Sequence, residues 1–485
     1  MIRYLCLCWK NIKEGDGILS AVHTEVLKDG REKKEFNLFL LTWPIFLEVF
    51  LFMMMGIADT MMLSAISDNA VSGVGAANQY LQIAILILEV IGNGASIVVA
   101  QYIGSRQYTE AARISAMAVV LNLLAGLVIS GAFLLFCGRL LTALNLQGDI
   151  YHYAESYLAI VGGAIFLQAI INSLAAIIRV HGFTKEAMFV SLGMNIVHIA
   201  GNYMLIFGKF GFPELGVQGA AISSVFSRVL ALLVFFWLLY RIMEVRVKLE
   251  YYMKLSKEYV WKILRIGIPS AFEQLMYQAC QIVFLYYATF LGAHSLAARQ
   301  YATSISMFIF LFAIAIGMGT AIIVGRLVGA NRSEEAYDRV WKSAGWALGV
   351  TVAMVGVVIL LRHQLMSLFT TDQDIIELGT HVLILSILLE TGRTINIVLI
   401  NSLRAAGDAV FPVWMGMISM VGLSVPLGYL LVFQLHLGLA GIWIAIASDE
   451  WTRAVIMFFR WKSKTWKKYA LVKHHIHEQK AAEQA

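Results

Sequence analysis

Between Leu38 and Trp461 the sequence holds twelve runs of apolar residues, each long enough to cross a lipid bilayer. A hydrocarbon core about 30 Å thick needs roughly 20 such residues at about 1.5 Å of rise each. Backbone N–H and C=O groups find no water in that layer, so each run has to close its own hydrogen bonds as a helix. The spans fall near 38–64, 70–102, 112–137, 151–178, 187–207 and 216–240, then 259–291, 297–325, 340–361, 376–403, 409–433 and 438–461. A chain that is 59% hydrophobic and only 14% charged fits no soluble class. The expected fold is an all-α polytopic membrane protein with twelve transmembrane helices, in contact with membrane lipid.

The basic residues are sorted by loop. Of the 37 Lys and Arg, thirty lie in 1–36, 103–115, 179–186, 241–265, 326–342, 404–408 and 460–485, whereas the opposite loops hold only Arg139, Lys209 and Arg362. Positive loops stay on the cytoplasmic side, so both termini are expected there, with the protein in the cell's inner (plasma) membrane. The net charge of +6 forms no single patch, which argues against nucleic acid as a partner. Residues 1–36 lack a small-residue cleavage site, so the first span is expected to be the insertion signal. Cys6, Cys8, Cys137 and Cys280 make no extracellular disulfide framework, and His474, His475 and His477 read as a solvated basic tail rather than a metal site.

The two halves match at an offset near 225 residues. Pro44 and Glu48 return as Pro269 and Glu273; Gly92, Gly94, Gln101 and Gly104 return as Gly317, Gly319, Arg326 and Gly329. Arg179-x-x-Gly182 answers Arg404-x-x-Gly407, and Leu215-Gly216-x-x-Gly219 answers Leu437-Gly438-x-x-Gly441. Six spans per half give both halves the same orientation, related by a pseudo-two-fold axis along the membrane normal. The expected divisions are a cytoplasmic tail 1–36, an amino-terminal lobe 37–240, a charged linker 241–258, a carboxy-terminal lobe 259–461 and a basic tail 462–485. A binding cavity between or within the lobes follows from such repeats.

Seven of the acids inside spans stand out: Glu48, Asp59, Glu89, Glu273, Glu390, Asp449 and Glu450. Four arginines do too, namely Arg228, Arg299, Arg393 and Arg453, and each should find a partner, because a lone charge there costs about 2.5–3.5 kcal/mol. Glu390 with Arg393, and Glu450 with Arg453, have the spacing of structural or gating pairs on one helix face. Asp59 has no basic residue at helical spacing and shares a stripe with Glu48. On the fifth span Asn195, His198 and Asn202 form a polar face at i, i+3 and i+7. Asp59, His198, Asn202 and Asn195 are therefore candidate cation-coupling residues, the alternative being an aspartate that only ties spans one and five together. The seventh span carries Glu273, Gln274, Tyr277, Gln278 and Gln281 over a wide arc, suited either to a cavity or to interhelical packing. With Glu48, the mirror of Glu273 across the repeat, these are the candidate substrate-binding residues.

Pro44 with Ala58-Asp59-Thr60, the Gly92 to Gly104 stretch, Asn202-Tyr203-Met204-Leu205-Ile206-Phe207-Gly208, Gly267-x-Pro269-x-x-x-Glu273, and Ser402-Leu403-Arg404 with Gly407-Asp408 resemble the multidrug and toxic-compound extrusion (MATE) family, bacterial type. The resemblance runs over residues 36–462. It implies two six-helix lobes in a V, alternating access, and export of amphipathic, often cationic compounds against inward flow of H+ or Na+. It also implies that Asp59 matches the amino-lobe cation-site aspartate. The positions of His198 and Asn202 hold an asparagine and an aspartate in some relatives, so a second carboxylate is missing here. Glu273 lies one turn past Pro269 rather than two, and Arg393 stands where some relatives have a tenth-span carboxylate. H+ is accordingly preferred over Na+ as the coupling ion, with no cofactor.

The only Gly-Lys pair, Gly208-Lys209, is followed by Phe210 and makes no phosphate-binding loop, and no nucleophile or metal-ligand spacing stands out, so no enzyme is expected. The expected function is a cation-coupled antiporter, monomeric, exporting amphipathic organic cations. Seven span acids against four span arginines suit such cargo. A flippase for lipid-linked precursors, which needs a cationic cavity, is the alternative, and a channel a further one.

Overall fold

The computed structural model describes residues 38–144, 146–242, 249–253 and 256–472. The tail 1–36 with Cys6 and Cys8, the tail histidines His474, His475 and His477, and linker residues 243–248 and 254–255 lie outside the described residues.

Among the described residues twelve long helical segments follow one another, with short helices at Leu249–Met253 and Arg362–Ser367. They are α1 (Leu38–Ser64), α2 (Asp68–Gly104), α3 (Tyr108–Ala143), α4 (Gly148–Gly162 and Ile165–Val180), α5 (Thr184–Ile206) and α6 (Gly216–Ile242). The second half repeats them as α7 (Lys257–Thr289), α8 (Ala293–Gly329), α9 (Ser333–Leu360), α10 (Gln373–Ala405), α11 (Val410–Gln434) and α12 (Gly438–Lys462). Among the described residues nine helices are long and apolar enough to span, and the two parts of α4, bent by 48°, make a tenth. Segments α7 and α12 fall short because they carry the glutamines, tyrosines and charges that face inward. Side chains that would be anomalous on a soluble protein, such as Leu134, Leu135, Ile282 and Trp346, stand exposed where lipid is the solvent.

The duplication is visible in local detail. Both α1 and α7 hold an internal proline, Pro44 and Pro269. The turns after α2 and α8 each place a non-glycine residue in the left-handed region, Arg106 and Asn331, both at φ 61°. The turns after α4 and α10 use Gly182 (φ 93°) and Gly407 (φ 99°), a conformation that a Cβ would strain. Ser67 caps α2 by accepting from the Ala70 N–H, and Asp372 caps α10 by accepting from those of Asp374 and Ile375.

The lobes meet along α1 and α2 of one half and α7 and α8 of the other. Glycines permit the approach. A Cβ on Gly94 would strike the Ile263 carbonyl, one on Gly104 the Arg326 carbonyl, and one on Gly329 the Gln101 carbonyl. These contacts gather at the end of the bundle that carries the basic loops. There, Gln101 Nε2 donates to the Ala405 carbonyl at 2.7 Å and Arg326 Nε donates to the Val180 carbonyl at 3.0 Å. The two bonds are equivalents under the repeat. A segment after α12 then crosses the seam: Trp461 stacks on Trp466, the Leu471 N–H donates to Gln101 Oε1 at 2.7 Å, and Leu471 and Val472 bury in the amino-lobe core. Lys464 and Lys467 both pair with Glu334, which holds the Lys464 ammonium above its usual range.

Candidate functional site

A cavity of about 790 Å³ opens between α2, α4, α7, α8, α10 and α12. Most of its wall comes from the carboxy-terminal lobe. Glu273, Gln274, Tyr277, Gln278 and Gln281 all line it, so the polar arc of α7 faces this space. Residues 307–322 of α8 add Met307, Phe310, Ile314 and Met318, an apolar wall.

Glu48 is not on the cavity, contrary to the expectation for its role. Its carboxylate accepts from Arg179 at 2.8 Å and from Ser191 at 2.9 Å, because the α1 face bearing it packs against α4 and α5. The same geometry recurs in the other half, where Arg404 reaches Glu273 at 2.6 Å. Arg179 and Arg404, which the sequence reading assigns to loops, turn back from the ends of α4 and α10 into the cavity wall. Two matched Glu and Arg positions at the 225-residue offset were the available signal.

The carboxy-terminal lobe holds an ionic network. Arg393 pairs with Glu390 at 2.8 Å on its own helix and reaches Glu450 on α12 at 3.4 Å. Arg453 pairs with Glu450 at 3.1 Å, with Asp449 at 2.8 Å, and lies 3.9 Å from Glu273. Asn396 donates to Glu450 at 2.8 Å and Ser419 to Asp449 at 2.6 Å. Both i, i+3 pairs thus form, but as parts of a cross-helix lattice that joins α7, α10, α11 and α12. Buried charges persist only when so neutralised and bonded. Arg299 differs: its hydrogen bond goes to the Gln281 amide at 3.3 Å, with no carboxylate among the described residues paired to it.

The charge balance of the cavity also departs from the sequence count. Once Arg179 and Arg404 are included, five arginines and four glutamates line it, so the excess of acids within the spans is not carried to the wall.

Asp59 occupies a separate pocket of about 120 Å³ between α1, α2, α4, α5 and α6. Its Oδ1 lies 2.8 Å from His198 Nε2 and accepts from Asn202 Nδ2 at 2.8 Å. His198 is 3% exposed and Asn202 fully buried. Ser223 donates to the His198 carbonyl, and Arg228 of α6 acts electrostatically on Asp59 and Tyr157. Asn195, buried on the same face of α5, makes no hydrogen bond to Asp59, and its Oδ1 has no partner among the described residues. One turn separates it from His198, which aims it past the carboxylate.

Two six-helix lobes with an ionised cavity on one side and a carboxylate pocket on the other define a multi-pass membrane transporter and not an enzyme. The MatE family model matches residues 44–204 and 269–430, one stretch in each half, and the chain belongs to that family of efflux transporters. It is 43% identical to "Uncharacterized transporter YisQ" of Bacillus subtilis over 433 residues, covering 89% of this chain and 95% of that protein. It is 27% identical to "Probable multidrug resistance protein NorM" of Thermotoga maritima, covering 90% and 94%. Among solved structures, a MATE transporter in the bent conformation superposes with a TM-score of 0.82 at 21% identity, covering 89% of this chain and 96% of that one. A transporter from Pyrococcus furiosus, described as having a binding pocket of reverse polarity, superposes at 0.81 and 21%, covering 88% and 95%.

Proposed function

We propose that the protein exports amphipathic, cationic small molecules by alternating access, driven by inward flow of H+. The observation that carries this reading is the separation of two sites, a carboxylate bonded to an imidazole and an amide in a pocket of the amino-terminal lobe, and a large cavity on the carboxy-terminal side. Coupling needs two distinct sites and two global states that each ligand biases. The closed seam at the basic-loop end supports an outward-facing state, with both termini in the cytoplasm. H+ is preferred because Asp59 is met by His198 Nε2 and Asn202 Nδ2, whereas hard metal cations take oxygen ligands. Neutralising Asp59 with a proton lets α1 repack against α5 and close the lobe, expelling cargo. By linkage, cargo then favours the ionised form.

Proteoliposomes with equal amounts of wild type and Asp59→Asn test this, using efflux driven by an imposed pH gradient in one arm and a Na+ gradient in the other. The variant should insert and bind cargo but not couple, and only the pH gradient should drive the wild type. Wild-type rates from Asp59→Asn would overturn the coupling role. Efflux driven by Na+ would overturn the choice of ion, and Asn195 Oδ1 and Asn202 Oδ1, which have no partner among the described residues, would be its candidate ligands.

A further inference from the structure

We infer that Glu89 is the carboxylate that recognises the positive charge of the cargo, from a polar stripe of α2 that shares the cavity with an apolar stripe of α8. This deepens the proposed function and rests on its reading of the cargo as cationic.

The other acids on the cavity wall are already paired. Glu273 is held by Arg404 and Arg453, Glu390 by Arg393, and Glu450 by Arg453, Arg393 and Asn396. A cation could bind any of these only by displacing a guanidinium. Glu89 alone among them is exposed to the cavity with no hydrogen bond or ion pair to any described residue. The one arginine that acts on it, Arg179, is already bonded to Glu48.

Its surroundings suit a ligand with one charged end. Glu89, Asn93 and Ser96 fall at i, i+4 and i+7, a single face of α2, and all three line the cavity. The position equivalent to Glu89 under the repeat is Ile314, flanked on the wall by Phe310 and Met318. The duplication has therefore put a carboxylate on one helix and a hydrocarbon at the same depth on its partner. Arg299 does not complete the same subsite. It is 15 residues from Ile314 along α8, or about 22 Å, too far for one small molecule to engage both.

Dansylcadaverine, a fluorescent primary amine that is cationic at neutral pH, and its uncharged N-acetyl derivative test the assignment by titration of the full chain in detergent. Wild type should bind the amine more tightly. Glu89→Gln should weaken the amine about tenfold or more, in the range of one lost charge-assisted bond, and change the acetylated form by less than about twofold. Asn93→Lys, which supplies Glu89 with an i, i+4 partner, should have the same selective effect without removing the carboxylate. Glu89→Asp should keep most of the preference. A wild-type preference for the amine that survives in both Glu89→Gln and Asn93→Lys overturns the inference and leaves the cationic reading standing. A wild type with no such preference overturns both.

Discussion

Replacing Gly104 and Gly329 with alanine should spread the lobes at the basic-loop end. At each position a Cβ would be driven into main-chain carbonyl oxygen of the other lobe, that of Arg326 for Gly104 and that of Gln101 for Gly329. Main chain cannot rotate out of the way as a flexible side chain would, so the helices must move apart. Overpacking of this kind costs about 1–3 kcal/mol, paid only in the state where the seam is closed. Since about 1.4 kcal/mol is a tenfold change in an equilibrium, one substitution should shift the closed-to-open ratio of this end by about 5-fold to 150-fold. The two sites share the segments 101–104 and 326–329, so their effects should not add. Spin labels at Thr109 and Asp338, in a background without the four native cysteines, report the separation by pulsed dipolar spectroscopy. The expected result is a longer-distance population that grows in each variant. An unchanged distance distribution in protein that still expresses and extracts normally would refute the claim that these glycines set the closed state.

Glu273→Gln should lower the melting temperature in detergent and the transport of every cargo class alike, because it strands Arg404 and leaves Arg453 to Asp449 and Glu450 alone; breaking such a pair costs about 3–5 kcal/mol. The double variant Glu273→Gln with Arg404→Gln should recover part of the loss, and a double variant no better than either single one would argue against the pairing. Glu390→Gln and Arg393→Gln should each reduce abundance, with recovery in the double variant limited by the charge left on Glu450, as membrane-fraction yields would report. At the turn after α4, burial pushes the His181 imidazole down to about 4, helped by Arg326 nearby. A group depressed below its unfolded value of about 6.5 stabilises the fold above that pH and loses the contribution as pH falls from about 6.5 towards 4. The loss is at most on the order of 3 kcal/mol, and His181→Gln should flatten the acid limb of a melting-temperature profile by that amount.

The spans and the duplication were legible because apolar runs of fixed minimum length and a constant offset survive any detail of packing. Helix ends were less so: α9 begins at Ser333 rather than near 340, and α3 runs to Ala143 rather than 137, since polar turns continue a helix into the interface. The meeting of Asp59 with His198 and Asn202 was readable from two polar stripes on neighbouring spans. Asn195 shares that face without reaching Asp59, because periodicity fixes a face of α5 but not which side chain on it reaches α1. Arg179 and Arg404 were missed for a different reason. They stand in the last turn of α4 and of α10, and a long side chain there can point either outward to water or back to a carboxylate. Only the partner, Glu48 or Glu273, decides it, and that is a tertiary fact.

The clasps at the seam carry a consequence for how a duplicated gene can drift. Gln101 and Arg326 occupy the same place in the two halves, yet one is neutral and the other charged, and each donates to a main-chain carbonyl, of Ala405 and of Val180. A main-chain acceptor is present whatever residue the codon specifies. Each copy was therefore free to change its donor without a matching change across the seam, and residues 180 and 405 were free to change without loss of the bond. Where acceptors are side chains, as at Glu48 and Glu273, both copies instead kept the same glutamate and the same arginine. The contrast divides the molecule into contacts that tolerate independent divergence and contacts that must change in pairs, a distinction that random mutagenesis of this one chain can measure.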